Sequence, residues 1–208
     1  MALTYNGSDV QNVTYNGADV QRVTCNGTEV WRRGSDVSEF VCTYTGSSTR
    51  KFYFQGSLDA NSLDLVDSNG GSVAGGHIEA TIEGTLNTIT VSRLEEGTYT
   101  LRVKAASGTY LTVGGGQSNT KMPQTITSVR LADDVEAIAT MAFSANSVLI
   151  TFEASAGLTS IGGMAFGNDT NLRTFICKAS VPPTVGSMAF FNVPADCAIY
   201  VPAESVEA

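Results

Sequence analysis

The tripeptide Met-Ala-Phe occurs three times near the C-terminus of this chain, and it constrains the fold more than any other feature. The copies lie at residues 141–143, 164–166 and 188–190, so they begin 23 and then 24 residues apart. A fixed period of this size is typical of a solenoid, in which one short unit stacks on the next. Since a single unit cannot bury its own Phe, the period predicts a core that neighbouring units share.

Apolar segments flank each Met-Ala-Phe copy on both sides. The preceding segments are residues 135–138, 158–161 and 182–185, the following ones are 148–152, 172–176 and 198–201, and residues 128–131 open the first unit. Each unit is therefore predicted to contain one short strand, a turn, an apolar ladder position and a buried Met-Ala-Phe half-turn. We expect Phe143, Phe166 and Phe190 to stack in register, each buried by the neighbouring unit.

The repeat follows the pattern Leu-x-x-Ile-x-x-x-Ala-Phe, with Leu158, Ile161, Ala165 and Phe166 in the middle unit. The first unit has the corresponding residues Val135, Ile138, Ala142 and Phe143, whereas the third unit has Pro182 in place of the Leu. This pattern resembles the BspA-like leucine-rich repeat, which is common in surface and phage-associated proteins of gut bacteria. The resemblance covers about residues 126 to 205 and implies a solenoid with a closing cap. It leaves the ligand open, because that family binds many different things.

A second repeat, with a period of ten residues, occupies the N-terminus. Asn6, Asn16 and Asn26 are each followed by Gly, and alternating apolar and polar residues flank them. Asn-Gly in this setting is the strongest short-range signal for a tight hairpin, because both turn residues take positive φ. We therefore predict three hairpins with six short strands over residues 1–33. Strands this small are marginal in water, so the array is expected to dock on another surface.

The Asn-Gly array is similar to segments of bacteriophage tail and other virion proteins. Its apolar rows exceed what six small strands can bury among themselves, and Trp31 adds the kind of amphipathic side chain that is enriched at interfaces. The predicted assembly interface consists of Leu3, Tyr5, Val13, Tyr15, Val23 and Trp31. The alternative is a plain hairpin platform with no role in recognition.

The middle of the chain, residues 34–120, is predicted to form a β-sandwich. Candidate strands are residues 39–45, 50–55, 62–66, 78–82, 88–94, 98–104 and 110–113, and turn residues separate them at intervals typical of sandwiches. Tyr99, preceded by Gly97, resembles the tyrosine corner of immunoglobulin-like modules. Residues 114–121 have the composition of a flexible linker. The predicted organisation is therefore mainly β: hairpin repeats at 1–33, an immunoglobulin-like sandwich at 34–120 and BspA-like leucine-rich repeats at 121–208.

Charge and hydropathy argue against several kinds of partner. The net charge is −8, and no cluster of Lys or Arg is present that would favour binding of nucleic acid or of an anionic membrane. No stretch approaches the roughly 20 apolar residues that span a bilayer, so membrane insertion is not expected. The N-terminus lacks the features of a secretory signal, which favours assembly in the host cytoplasm over export.

Residues suited to catalysis or metal binding are few and scattered. His77 is the single histidine, and Cys25, Cys42, Cys177 and Cys197 form no C-x-x-C pair, so neither a zinc site nor a disulfide scaffold is predicted. The segment 67–70 could suggest a calcium loop, but it lacks the ligand spacing and is interpreted as a turn. Asp133 and Asp134 are interpreted as a solvated pair, and no cofactor is expected. These patterns favour a protein that is not an enzyme.

Two classes of function remain from the sequence. The first is a structural protein of a bacteriophage virion, in the tail or baseplate, whose hairpins bind other virion proteins or copies of itself. Its outer domains would then contact a host cell-surface protein or glycan. The alternative is an adhesin on the bacterial cell surface, or a secreted one, that binds host glycoprotein or glycan.

Overall fold

Strands make up nearly all of the regular structure in the computed structural model. The structure describes the hairpin strands between residues 4 and 32 as backbone, and residues 37–45, 48–73 and 77–202 with their side chains. Within these residues the only helix is a single 3-10 turn, Ala60–Ser62. The chain divides into two compact units, Met1–Ser35 and Asp36–Ala208.

The first unit contains a hairpin at each of the three period-ten repeats. Its strands are β1 (Thr4–Tyr5), β2 (Ser8–Asp9), β3 (Val13–Tyr15), β4 (Ala18–Val20), β5 (Arg22–Cys25) and β6 (Thr28–Arg32). The pairs β1–β2, β3–β4 and β5–β6 are antiparallel, and the described strands pair only within their own hairpin. A register shift in the third hairpin places Trp31 opposite Val23. Trp31 therefore lies inside strand β6.

Seven strands form close to the predicted segments in the middle of the chain. They are β7 (Ser38–Tyr44), β8 (Arg50–Gly56), β9 (Asp64–Asp67), β10 (Ile78–Glu83), β11 (Leu86–Val91), β12 (Gly97–Val103) and β13 (Leu111–Val113). In β7 and β11 the alternate residues are buried, so each of these strands turns one face to the core.

The repeats contribute two strands per unit where one was predicted. These strands are β14 (Ile126–Arg130), β15 (Val135–Ile138), β16 (Thr151–Ala154), β17 (Ser160–Ile161), β18 (Thr174–Cys177), β19 (Thr184–Val185) and β20 (Ala198–Tyr200). The apolar ladder position of each unit forms the extra strand, because it pairs in parallel with the same position of the next unit. The arrangement is that of a β-solenoid, with successive coils stacked in register.

Two seven-stranded sheets run through the second compact part of the chain, Asp36–Ala208. The front sheet has the order β9-β12-β7-β14-β16-β18-β20, and the back sheet has the order β10-β11-β8-β13-β15-β17-β19. The middle segment joins the repeats through antiparallel β7–β14 in front and parallel β13–β15 behind. Both sheets therefore cross the position of the predicted boundary at residue 120, and residues 36–208 form one compact unit.

The glycine-rich segment after β13 is not the flexible linker that its composition predicted. Gly114 is buried, and its carbonyl oxygen accepts a hydrogen bond of 3.1 Å from Gln55 Nε2. A Cβ atom at Gly114 would lie 2.8 Å from the Cβ of Ala142, and φ is +90° there. Glycine is thus required because the chain turns tightly against the first repeat, which fixes this segment in place.

Two ladders of Phe rings fill the core of the repeats. Phe143, Phe166 and Phe190 stack with centroid separations of 5.5 and 5.2 Å, as predicted. Phe152 and Phe175 form a parallel ladder, 5.5 Å apart, and meet the first ladder edge to face. Phe143 and Phe166 are fully buried, whereas Phe190 is only partly buried because none of the described residues stacks beyond it. The expectation that every unit buries the Phe of its neighbour is therefore wrong for the third unit.

Candidate functional site: the open end of the repeats

The predicted assembly residues lie in the hairpin strands as far as the structure describes them. Leu3 lies outside the described residues. The other five are in strands: Tyr5 in β1, Val13 and Tyr15 in β3, Val23 in β5 and Trp31 in β6. Their register is repetitive, since Tyr5 is opposite Ser8 in the first hairpin and Tyr15 is opposite Ala18 in the second. The same pairing of strand residues therefore recurs every ten residues along the first two hairpins.

The last coil of the solenoid exposes side chains that occupy core positions in the earlier coils. In the front sheet, Phe152 and Phe175 are 0% and 3% exposed, but Ile199, which is next in that row, is 61% exposed. In the back sheet, the row continues from buried Ile161 to Val185, which is 58% exposed. We call this surface the open end. Its exposed large apolar residues are Val181, Val185, Met188, Phe191, Ile199, Tyr200 and Val201.

Backbone groups also end in an unpaired row at the open end. In the first coil, the N–H groups of Met141, Phe143 and Ala145 donate to carbonyl oxygens of the second coil, at 2.8–3.0 Å. In the second coil, Met164, Phe166 and Asn168 donate to the third coil in the same way. The corresponding N–H groups of the third coil, at Met188, Phe190 and Asn192, have no acceptor among the described residues. The open end therefore presents donors as well as apolar surface.

The open end carries almost no charge. Asp196 is the only charged residue between Ala179 and Pro202. The opposite end of the two sheets differs, because its edge strands carry carboxylates: Asp64 and Asp67 in β9, and Glu79 and Glu83 in β10. Charged residues on an edge strand prevent other strands from pairing with it. The far end is thus protected against strand addition, and the open end is not.

Alternating charges cross the outer face of the front sheet. Arg102 contacts Glu39 at 3.2 Å and Asp64 at 3.9 Å, and Arg130 contacts Glu153 at 3.7 Å. Lys178 also contacts Glu153. The row spans strands from the middle segment and from the repeats. This row could not be predicted from the sequence, because the partners are far apart along the chain. These side chains are partly exposed, and ion pairs that water reaches are each worth about 0–1 kcal/mol, so the row adds little to stability.

The side chains that could take part in acid–base or nucleophilic chemistry are engaged in packing and hydrogen bonding. Cys42 is buried, and burial raises the pKa of its thiol far above its usual range. The Nδ1 atom of His77 lies 3.1 Å from the carbonyl oxygen of Ser92, at the start of the β10–β11 hairpin. Burial likewise raises the pKa of Tyr44, whose ring packs edge to face on Tyr99. Each of these groups is thus held by packing or by a hydrogen bond in the folded protein.

The two acidic segments considered for metal binding are also tied to the backbone. Asp67 Oδ1 accepts hydrogen bonds from the N–H groups of Asn69 and Gly71, at 2.8 and 2.9 Å, which is the predicted turn. Asp134 was predicted to be solvated, but its Oδ2 accepts a 2.6 Å hydrogen bond from the N–H of Ala105. It thereby links the first repeat to the end of β12. Within the described residues, no three His, Cys, Asp or Glu side chains are grouped to hold a metal ion.

Comparison of the chain with models of protein families, with curated proteins and with solved structures finds no match. Among the residues that the structure describes, no helix is long and apolar enough to cross a membrane. The functional argument therefore depends on the hairpins and on the open end.

Proposed function

We propose that the chain is a non-enzymatic structural protein of a bacteriophage virion, associated with the tail or baseplate. Residues 1–33 attach it to other virion proteins or to copies of itself, and the rest of the chain presents surfaces for attachment to the host. The observation that carries this proposal is the arrangement of the N-terminal hairpins.

The six strands of the hairpins are only two to five residues long. Each described strand of the hairpins pairs only within its own hairpin. The strands between residues 4 and 32 therefore form three separate two-stranded sheets. An isolated two-stranded hairpin is at best marginally stable in water. Three of them in series, with an apolar residue at every tenth position, gain stability when another protein surface covers them. This supports an assembly role.

Local geometry supports the two finer fold assignments that we propose for residues 34–208. Tyr99 Oη lies 3.4 Å from the carbonyl oxygen of Glu95, four residues upstream, and a Cβ atom at Gly97 would lie 3.4 Å from the Tyr99 ring. This is the contact expected of a tyrosine corner in an immunoglobulin-like sandwich. In the repeats, the Leu, Ile, Ala and Phe positions of the middle unit are all at most 3% exposed, which supports a BspA-like leucine-rich repeat.

Removal of residues 1–35 in the native context tests the proposed function. The truncated protein should stay folded by circular dichroism, because residues 37–202 have their own core, yet it should be missing from purified particles when these are analysed by mass spectrometry. A full-length chain carrying Ile82→Glu is the control and should be incorporated normally, since Ile82 is 69% exposed on β10. Normal incorporation of the truncated chain would contradict the proposal and favour the alternative of a bacterial adhesin that binds host glycoprotein or glycan.

A further inference from the structure

We propose that the open end is the interface of a two-fold symmetric dimer, in which a second copy of the same chain covers the last coil. This surface is distinct from the hairpins. The inference therefore stands whether or not the chain belongs to a virion.

The first argument is the kind of surface that the last coil exposes. Ile199 and Val185 continue rows that are buried in the preceding coils, and Phe190 continues the ladder of stacked rings. The open end thus exposes side chains at positions that form the buried core in the preceding coils. Interfaces of obligate homodimers resemble a domain core cut in half, whereas transient interfaces are only as apolar as the rest of the surface. A permanent partner fits this surface better than a transient one.

The second argument comes from the contrast between the two ends of the sheets. The edge strands β9 and β10 carry four carboxylates, which oppose the addition of another strand. The edge strands β19 and β20 carry none. A head-to-tail contact would place the carboxylates of one copy against the apolar open end of the next and remove them from water. Contact between two open ends avoids that penalty.

The third argument is symmetry. Both sheets end at the same surface, the front sheet with β20 and the back sheet with β19. A two-fold axis perpendicular to the sheets would place β20 antiparallel to β20 of the second copy, and β19 antiparallel to its own counterpart. Each sheet already contains antiparallel neighbours, at β7–β14 in front and at β8–β13 behind. A contact of this type closes at two copies.

The fourth argument is electrostatic. The chain has a net charge of −8, so most contacts between copies bring like charges together. The open end is the exception, because Asp196 is the only charged residue among those that the structure describes there. A second copy of the chain can therefore approach through this surface with little repulsion.

Light scattering after size-exclusion chromatography of the full chain tests the dimer. The parent should have twice the single-chain mass of 21.8 kDa, or an even multiple of it if the hairpins also associate. The double variant Val185→Glu/Ile199→Glu should halve that mass, and circular dichroism should show that it is folded, because both side chains are exposed in one copy. Ile82→Glu at the far end is the matched control and should leave the mass unchanged.

Three results would overturn the proposal: a parent of single-chain mass, a double variant with the mass of the parent, or a parent mass that rises steadily with concentration, as in an open-ended head-to-tail series. If the double variant does not fold, hydrogen exchange of the parent replaces it. The amide of Ile199, the middle residue of β20, should then be protected at high concentration and exchange quickly on dilution, whereas the Ala198 amide already donates to Arg173 within one copy. Fast exchange at every concentration would contradict the dimer. None of these variants alters the hairpins, so the outcome is independent of the truncation experiment.

Discussion

Asp169 is a buried acidic residue that joins two neighbouring coils of the repeats. It is fully buried, and its Oδ1 accepts a 2.9 Å hydrogen bond from the N–H of Asn146 in the preceding coil. Its Oδ2 is buried and has no hydrogen-bond partner among the described residues. Burial raises the pKa of Asp169 to about 8, against the opposing effects of the Asn146 hydrogen bond and the charge of Lys121. The side chain is therefore mostly protonated in the folded protein at neutral pH.

The pKa of Asp169 predicts a definite pH dependence of stability. The folded-state value lies above the ordinary value of 3.8, so the unfolded chain releases this proton first as the pH rises. The free energy of unfolding should thus fall from about pH 4 to pH 8, by at most about 1.4 kcal/mol per pH unit from this group.

Asp169→Asn keeps an acceptor for Asn146 and cannot ionise. In urea denaturation at a series of pH values, the free energy of unfolding of the variant should rise steadily relative to that of the parent between pH 5 and 8. Glu136→Gln, which alters an exposed carboxylate in the first repeat, is the control and should track the parent. A stability difference between Asp169→Asn and the parent that does not change with pH would contradict this account.

At the scale of the element, strands with a clear period could be predicted and pairing across coils could not. All seven strands of the middle segment lie close to their predicted positions, and in β7 and β11 alternate burial leaves a period of two in the sequence. The strand β17 has only two residues and no period of its own. It exists because its backbone pairs with β15 and β19, which lie on neighbouring coils. The close approach at Gly114 is also invisible in the sequence, since it depends on Ala142 being adjacent in space.

The Phe ladder gives a prediction at this scale. Phe166 is 0% exposed and touches rings in the coils on both sides, so Phe166→Ala should lower the free energy of unfolding by roughly 3–5 kcal/mol. It should also weaken the coupling of the first unit to the third. Ile150→Ala, at a position that is 50% exposed in the same repeats, should change stability far less. An unchanged denaturant midpoint for Phe166→Ala would show that the register is wrong.

The open end belongs to the scale of the whole molecule, and the sequence indicated it only in part. The resemblance to leucine-rich repeats implied a closing cap, and the third repeat departs from the pattern at Pro182. The open end is exposed because β19 and β20 are the outermost strands of the two sheets, and this order is not visible in the sequence. The continuity of the sheets across residue 120 was likewise beyond the sequence. It depends on Phe40 in β7 and Val129 in β14 being neighbours, although they lie far apart along the chain.

The middle segment and the repeats share one hydrophobic core. Native-state hydrogen exchange of Phe40→Ala tests it most directly. Phe40 is 0% exposed and packs on Phe52 and Phe54 in the middle segment, so its loss should destabilise that core. If the core is shared, protection of the amides in β16 should fall by about the same free energy as in β12. Unchanged protection in β16, with a loss confined to β7 through β13, would contradict the claim and show two separate domains.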